Sequence, residues 1–386
     1  MEQVRLGIIG IGNMGTTHSL NWKEGKVPEI ALTAVADVNP ARLDWAEQNL
    51  PGVARFDDAE QLMESGLVDA VLVATPHYLH PPMVISALEH GLHVISEKPA
   101  GVYTKAVREM NEAAEKSDKT FAIMFNQRTN CVYRKMKEII DSGELGQIRR
   151  TNWIITNWYR SQSYYDSGSW RATWDGEGGG VLLNQCPHNL DLWQWLCGMP
   201  VKVHAFTHSG KWHDIEVEDD VTAYVEYENG ATGVFITSTG DAPGTNRLEV
   251  TMDGGKLVCD GSTLKLERLS QDINEFSATY KGGFGMPEVT EIEVETDGEN
   301  LQHVGVLRAF AAHILRGEPL TAEGREGING LTLSNAMHLS GWLGRAVTLP
   351  LDEDLFLEEL NKRRATSRVK TGEAVTLDPR GTYNGK

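Results

Sequence analysis

The chain has 386 residues, which is long enough for two domains and for a sizeable core without disulfides or metals. A formal net charge of −18, from 36 basic and 54 acidic residues, disfavours nucleic acid and anionic membranes as partners because both require a positive surface. Scattered cysteines without a CxxC pair, no signal-peptide pattern and no membrane-spanning apolar run predict a cytoplasmic protein without a metal site.

The N-terminal segment carries a dinucleotide-binding signature. An apolar strand pattern over residues 4–9 leads into a GxGxxG turn and a helical pattern, and a second strand pattern follows at residues 32–36. A chance glycine turn is the alternative, but the strand–turn–helix context is the one in which glycines let backbone approach a pyrophosphate. The cofactor-binding residues predicted here are Gly10, Gly12, Asn13, Met14 and Gly15.

Asp37 ends the second strand, 22 residues after Gly15. A carboxylate at this position can accept hydrogen bonds from the adenosine ribose hydroxyls and repels a 2′-phosphate, so we predict NAD rather than NADP. Alternatively, Asp37 caps the helix that starts near Ala41. Arg42 is a nearby cation that could hold a 2′-phosphate instead.

Helical patterns alternate with apolar strand patterns through residue 125. The helices are predicted at residues 41–50, 58–65, 83–90 and 104–117, and strands at 70–74, 120–125 and from His93 to Lys98. This alternation predicts a Rossmann domain with a doubly wound parallel sheet, assigned to residues 1–126.

Two loops follow strands of this predicted sheet, at the edge where such sheets bind ligands. His77 and His80 lie in the first loop; we interpret them as facing cofactor or substrate rather than as metal ligands, because no third ligand lies nearby. Lys98 opens the second loop. Alone it reads as a surface lysine before a turn proline, but in this context we expect it where nicotinamide meets an alcohol.

The second half has a different pattern. After a helix at residues 130–142, strand patterns occur at residues 148–159, 201–208, 221–227, 231–238 and 247–252, with hairpin signals at Asn229-Gly230 and at residues 253–255. This predicts an α+β domain over residues 127–386, built on a mostly antiparallel open β-sheet flanked by helices. The polar tail after Ala365 is expected to be an arm or frayed end.

A glycine-rich stretch over residues 175–191 leads to His188, which shares a helical face with Asp191. A buried, hydrogen-bonded structural histidine is the alternative to a catalytic one. Just before this stretch, aromatic residues and two arginines are concentrated. Such residues bind sugars by stacking and hydrogen bonding, although a core or subunit interface is an equal alternative. The candidate substrate-binding residues among them are Tyr159, Arg160 and Trp170.

Together these motifs resemble the glucose-fructose oxidoreductase/inositol dehydrogenase (Gfo/Idh/MocA) family. The matching motifs are Gly10–Gly15, Thr75-Pro76 with His80, Glu97-Lys98-Pro99, Asn126-Gln127-Arg128, Gly178–Gly180 with His188 and Asp191, and the closing residues 320–350. The resemblance implies an often cis Lys98–Pro99 peptide and a homodimer or homotetramer formed through the sheet. It also implies cofactor contacts by Thr75, Pro76, His80, Glu97, Lys98 and Asn126, and substrate contacts by Lys98, Arg128, Asn184 and His188.

The chain departs from the family pattern at Asn184, where the family usually has aspartate four residues before the catalytic histidine. An amide can orient a hydroxyl but cannot take a proton at neutral pH. We therefore consider Asp191, one helical turn from His188, as the group that holds the histidine tautomer. Lys98, His188 and Asn184 remain the candidate catalytic residues.

The resulting hypothesis is an NAD-dependent dehydrogenase that oxidises a ring secondary hydroxyl of a sugar or glycoside, with C3 as the candidate carbon. Lys98 or His188 would accept the hydroxyl proton. The alternatives are an inositol (cyclitol) dehydrogenase, an NAD-dependent redox glycosidase and a non-catalytic NAD-binding regulator.

Overall fold

The computed structural model describes residues 2–370, so most of the predicted polar tail lies outside the described residues. The first part of the chain forms a six-stranded parallel sheet with helices on both faces. Its strands are β1 (Val4–Ile9), β2 (Ile30–Ala36), β3 (Ala54–Phe56), β4 (Ala70–Val73), β5 (His93–Ser96) and β6 (Phe121–Ile123). Its helices are α1 (Asn13–Lys23), α2 (Pro40–Asn49), α3 (Ala59–Glu64), α4 (His80–Glu89) and α5 (Thr104–Lys116).

The strand order is β3-β2-β1-β4-β5-β6, which is the doubly wound Rossmann arrangement predicted from the sequence. Every residue of β4 is buried, as expected for a parallel strand covered on both faces. The strand order reverses between β1 and β4, and open α/β sheets bind ligands in the crevice outside the strand ends at that point. The short strand β3 was not predicted.

The second part contains a nine-stranded sheet. Its strands are β7 (Ile148–Ile155), β8 (Lys202–Ser209), β9 (Glu218–Glu226), β10 (Thr232–Ser238), β11 (Asn246–Met252), β12 (Gly255–Asp260), β13 (Thr263–Leu269), β14 (Val289–Glu293) and β15 (Val347–Thr348). Its helices are α6 (Cys131–Asp141), α7 (Gln162–Asp166), α8 (Pro187–Cys197), α9 (Ile273–Thr279), α10 (Gln302–Arg316), α11 (Gly327–Leu343) and α12 (Glu353–Arg364).

The order of this sheet is β14-β13-β12-β11-β7-β10-β9-β8-β15. Only β7 and β10 pair in parallel among these described strands, so the prediction of a mostly antiparallel open sheet flanked by helices is confirmed. The strand predicted over residues 148–159 was too long. It ends at Ile155, and the chain turns into the loop before α7.

Helix α10 lies late in the chain but packs against the first sheet. Its apolar residues Val306, Leu307, Phe310 and Ala311 belong to the same buried cluster as Leu6, Ile8 and Leu32 of strands β1 and β2. The apolar spacing of α10 fits one helical face, but sequence reasoning did not identify this helix. The domain boundary between residues 126 and 127 therefore remains a prediction, because α10 lies after this boundary but packs with the first domain.

A buried ion pair lies within the second half, just after the predicted boundary. The Arg128 guanidinium donates to both carboxylate oxygens of Asp191 at 2.7 and 2.8 Å, and to Glu326 at 2.8 Å. It also stacks between Phe125 and Trp195. These contacts occupy every guanidinium nitrogen, so the geometry gives no support to Arg128 as a substrate contact or to Asp191 as the partner that holds His188.

None of the helices within residues 2–370 is long and apolar enough to cross a membrane.

We expect Asp191→Ala to lower the free energy of unfolding by about 3–5 kcal/mol, because it leaves the buried Arg128 charge without its main partner. Urea denaturation measures this change. The double variant Arg128→Met with Asp191→Leu removes both charges and should recover much of the lost stability. If Asp191→Ala were as stable as the wild type, the Arg128–Asp191 ion pair would not have the stabilising role assigned to it.

Candidate active site

The glycine turn after β1 leaves room for a ligand above its backbone. Gly10 has φ +92°, and a side-chain carbon there would lie 2.7 Å from the carbonyl oxygen of Ala74. A side-chain carbon on Gly12, by contrast, would meet nothing within 4 Å. No side chain caps the start of α1, so the N–H groups of its first turn, including those of Asn13 and Met14, remain available to a pyrophosphate.

Asp37 follows β2 and lies against this turn. Its Oδ2 accepts a hydrogen bond from Ile11 N at 2.7 Å, and its Oδ1 accepts one from Asn39 N at 2.9 Å. Asn39, not Asp37, caps α2, so the capping alternative is wrong. Arg42 donates to Ile11 O at 2.6 Å and to Thr16 Oγ1 at 2.6 Å, which ties its guanidinium to the glycine turn.

The loops after β4 and β6 carry buried polar atoms without protein partners. Thr75 Oγ1 and Asn126 Oδ1 have no hydrogen-bond partner among the described residues, although Asn126 Nδ2 donates to Gln302. Such atoms normally find a partner, and a ligand in the crevice would supply one. With the open glycine turn, they make this crevice fit a dinucleotide.

His80 connects two loops at this edge of the sheet. Its Nδ1 lies 2.6 Å from Pro99 O and its Nε2 lies 2.7 Å from Thr75 O. Pro76 immediately precedes the turn that leads to this helix start, and His77 Nδ1 lies 3.1 Å from Glu177 O. Both histidine rings thus contact backbone carbonyls, and His80 links the two loops. That His77 and His80 face the cofactor or substrate stays a prediction.

Glu97 and Lys98 follow β5. The buried Glu97 carboxylate lies 2.7 Å from His18 Nε2. Burial raises the pKa of Glu97, but the hydrogen bond from His18 together with the electrostatic attraction of His18, His303 and Lys98 outweighs burial and lowers this pKa to about 2. The Lys98–Pro99 peptide is cis, as the family resemblance implied. Lys98 Nζ donates to the main-chain oxygen of Asn184 at 3.1 Å, across the two halves of the chain. Burial lowers the pKa of Lys98 below its usual value.

His188 lies in the first turn of α8 and is buried. Its ring meets Phe125 edge-on, with centroids 6.5 Å apart. Burial first, and then the nearby Lys98 charge, hold the pKa of His188 well below 6.5. Asn184 precedes this helix, and its Nδ2 donates to Glu177 and, at 3.3 Å, to Tyr164 Oη. The structure therefore brings Lys98, Asn184 and His188 into one region.

The predicted substrate-binding residues differ in their contacts and in their exposure. Arg160 stacks over Tyr164 with its guanidinium carbon 5.2 Å from the ring centre, and Trp170 meets His77 edge-on at 5.6 Å. Besides burial, the positive charge of Arg160 lowers the pKa of Lys98, which places Arg160 near the lysine. Tyr159 is 52% exposed, and its contact with substrate stays a prediction. Other members of the aromatic set are core residues, as the alternative interpretation allowed: Trp153, Tyr165 and Trp174.

Sequence reasoning missed Glu177, whose buried carboxylate contacts Asn184 and the main-chain N–H of Ala172 at 2.6 Å. A single glutamate before a run of glycines has no local pattern that marks it. One signal could have pointed to Glu177. Asn184 stands where the family usually has an aspartate, and the missing carboxylate suggests that another acidic residue nearby takes its place.

Within the described residues, no group of three His, Cys, Asp or Glu side chains is arranged to hold a metal ion.

Two family models match the chain: residues 4–125 match the oxidoreductase family with an NAD-binding Rossmann fold, and residues 133–258 match the GFO/IDH/MocA C-terminal domain. The chain belongs to the Gfo/Idh/MocA family. It is an NAD-binding oxidoreductase.

Individual relatives match over nearly the full chain. Myo-inositol 2-dehydrogenase of Thermotoga maritima is 26% identical over 352 residues, which are 90% of this chain and 98% of the relative. The WlbA dehydrogenase of Chromobacterium violaceum, solved with NADH and UDP-GlcNAcA, is 28% identical with a TM-score of 0.76, covering 91% of this chain and 97% of that one. Levoglucosan dehydrogenase, solved with NADH and L-sorbose, shares the fold at 20% identity, with a TM-score of 0.76 and coverage of 91% and 100%.

We expect Asp37→Ala to weaken NAD binding by roughly 10- to 100-fold, because hydrogen bonds to a charged group contribute about 1.5–3 kcal/mol. NADP binding should weaken less or improve, because the like charge is gone. Isothermal titration with each cofactor measures both effects. Asp44→Ala, at an exposed position of α2, is the matched control. Tighter binding of NADP than of NAD by the wild type would contradict the prediction.

Proposed function

We propose that this protein is an NAD-dependent dehydrogenase that oxidises a ring secondary hydroxyl of a sugar, glycoside or related polyol. The observation that carries the proposal is Lys98. Its ammonium nitrogen lies within hydrogen-bond distance of Asn184 in the second half, at the carboxyl end of β5 beside the cofactor crevice. When bound, NAD supplies the hydride acceptor for the carbon that is oxidised.

We propose Lys98 as the group that accepts the hydroxyl proton. Its lowered pKa makes the neutral amine more accessible than that of an ordinary lysine. His188 is a poorer proton acceptor, because its pKa lies well below 6.5 and its charged form would be buried. A neutral His188 can still hydrogen-bond the hydroxyl or the carbonyl oxygen that forms.

The substrate class rests on two observations. Arg160 and Trp170 provide a guanidinium and an aromatic surface in the segment between β7 and the glycine stretch, and such groups hydrogen-bond hydroxyls and pack on sugar rings. The relatives described above act on inositol or are solved with sugar ligands. A sugar or glycoside oxidised at C3 is our first candidate, and a cyclitol such as inositol is the second because of the Thermotoga relative.

A panel of inositols, aldoses, alkyl and aryl glucosides and nucleotide-linked sugars, assayed with NAD, tests this function. NADH formed with a subset of these compounds supports the dehydrogenase and identifies its ring. Release of aglycone without NADH would assign the protein to redox glycosidases instead. Tight NAD binding with no turnover of any compound would contradict the proposal and favour a binding protein.

Lys98→Met should lower kcat for the best substrate by roughly 10²–10⁴-fold, the usual contribution of a general base, while NAD binding stays intact. The dependence on pH gives a second check. Because the pKa of Lys98 is lowered, the rise of kcat/KM for oxidation with pH should occur below 10.5 and should disappear in Lys98→Met. Lys105→Met, at an exposed lysine paired with Asp354, is the control. Wild-type turnover by Lys98→Met would refute the role.

We also propose that the nine-stranded sheet joins two copies of the chain. Phe206, Tyr224 and Ile154 on β8, β9 and β7 are 61%, 42% and 38% exposed, and they alternate with buried neighbours, so they share the outer face. Exposed apolar side chains on one sheet face fit an interface between subunits. Light scattering at micromolar concentration should give a dimer or tetramer, and a monomer would count against the proposal.

A further inference from the structure

Glu177 is a buried carboxylate beside the proposed catalytic residues. Its side chain is 1% exposed, and its Oε2 accepts a hydrogen bond from Ala172 N at 2.6 Å. Its Oε1 accepts from Asn184 Nδ2 and lies 3.9 Å from Arg171 Nη1. The main-chain oxygen of Glu177 also lies 3.1 Å from His77 Nδ1. The carboxylate itself is thus held by three groups: Ala172 N, Asn184 Nδ2 and the Arg171 guanidinium.

The contacts of Asn184 fix which way its amide points. Burial raises the pKa of Glu177, and the Arg171 charge with the hydrogen bonds from Ala172 N and Asn184 Nδ2 opposes that shift. Because Asn184 Nδ2 donates to Glu177 Oε1, the NH₂ group of Asn184 faces Glu177. The same NH₂ group contacts Tyr164 Oη, which also accepts from Arg171 at 2.7 Å. The NH₂ group of Asn184 therefore donates to Glu177 and to Tyr164, and Oδ1 remains as the accepting atom of the side chain.

We propose that Glu177 is a positioning residue that holds the Asn184 amide with Oδ1 available to a substrate hydroxyl, so that the pair Glu177–Asn184 takes the place of a single aspartate. Asn184 then supplies the accepting oxygen, and Glu177 supplies the negative charge near Lys98. This inference rests on the proposed dehydrogenase function and adds a residue that selects hydroxylated substrates.

The charges around the pair fit this arrangement. Arg160, Arg171 and Lys98 place positive charge in this region, and Glu177 acts on the Lys98 pKa in the opposite direction to the two arginines. A neutral amide at position 184 alone would leave these cations without a carboxylate at that place. The buried Glu177 supplies this carboxylate, and it is joined to Asn184 by one hydrogen bond.

An exchange of the two functional groups tests the proposal. In Glu177→Gln, the residue offers one accepting oxygen to two donors, Ala172 N and Asn184 Nδ2, so one donor meets the new NH₂ group. The Asn184 amide then turns Oδ1 toward the new NH₂ group, so Oδ1 is no longer available to the substrate and kcat should fall roughly 10²-fold, as for a misplaced catalytic group. NAD affinity should not change, because Glu177 does not line the glycine turn.

The double variant Glu177→Gln with Asn184→Asp moves the carboxylate to position 184. The new amide at position 177 can then accept from Ala172 N through its oxygen, and its NH₂ group can donate to the new carboxylate at position 184. Every donor again meets an acceptor. We expect this exchange to restore kcat to within about 10-fold of wild type. Asn184→Asp alone should be impaired, because it places two carboxylates in contact.

Glu218→Gln is the matched control. Glu218 is equally buried and accepts from Gly180 N and Leu182 N of the same glycine stretch, but among the described residues it has no hydrogen bond to Asn184 or Lys98. This variant should lower Tm. Adding Asn184→Asp to it should restore neither Tm nor kcat. A rescue specific to the Glu177 exchange is a result that a merely structural role would not produce.

The side-chain amide signal of Asn184, followed by NMR hydrogen exchange, reports on the positioning without any substrate. Slow exchange in the wild type that becomes fast in Glu177→Gln supports the proposal even if no tested compound turns over, which would be a failure of the proposed function. Wild-type kcat in Glu177→Gln, or a folded double variant as slow as the single one, overturns it. If the single variant does not fold, the double variant alone decides.

Discussion

The hydrogen bond from Lys98 Nζ to the main-chain oxygen of Asn184 is the contact on which the candidate site depends. Lys98 extends from the end of a parallel strand in the nucleotide-binding half, and Asn184 belongs to the glycine-rich stretch of the other half. The bond at 3.1 Å therefore exists only when the two halves are docked. Since helix α10 of the second half packs against the nucleotide-binding sheet, residues late in the chain help to fix that docking and thereby the position of the lysine.

Burial gives the site its electrostatic character. The carboxylate of Glu97 is held ionised by His18, and its pKa of about 2 keeps a negative charge next to Lys98 across the whole physiological range. Burial nonetheless lowers the lysine pKa, because desolvation is the larger effect. The neighbouring carboxylates limit that shift, so the lysine keeps some preference for its charged form while it can still release or take a proton.

The sequence allowed prediction of those parts of the molecule that depend on local pattern. Gly10, Gly12 and Gly15 adopt the turn that their spacing indicates, and the strand and helix periodicity predicted the doubly wound parallel sheet. Arg128 and Asp191 are 63 residues apart, and no spacing rule connects them, so the sequence could not show that each guanidinium nitrogen of Arg128 donates to a carboxylate. The substrate contact of Arg128 stays a prediction. Glu177 was missed for a different reason: its partners Ala172 and Asn184 lie only 5 and 7 residues away, but no local pattern marks a single glutamate before a run of glycines.

Helix α10 makes the nucleotide-binding half depend on residues that are synthesised late. Its apolar face covers strands β1 and β2, about three hundred positions away along the chain, with sequence separation that slows the search for native contacts. A nascent chain that has emerged only through residue 126 would leave this side of the sheet uncovered. The Rossmann half is thus a structural unit but not an autonomous one, and exchange of this half alone between relatives would require the helix to be carried with it.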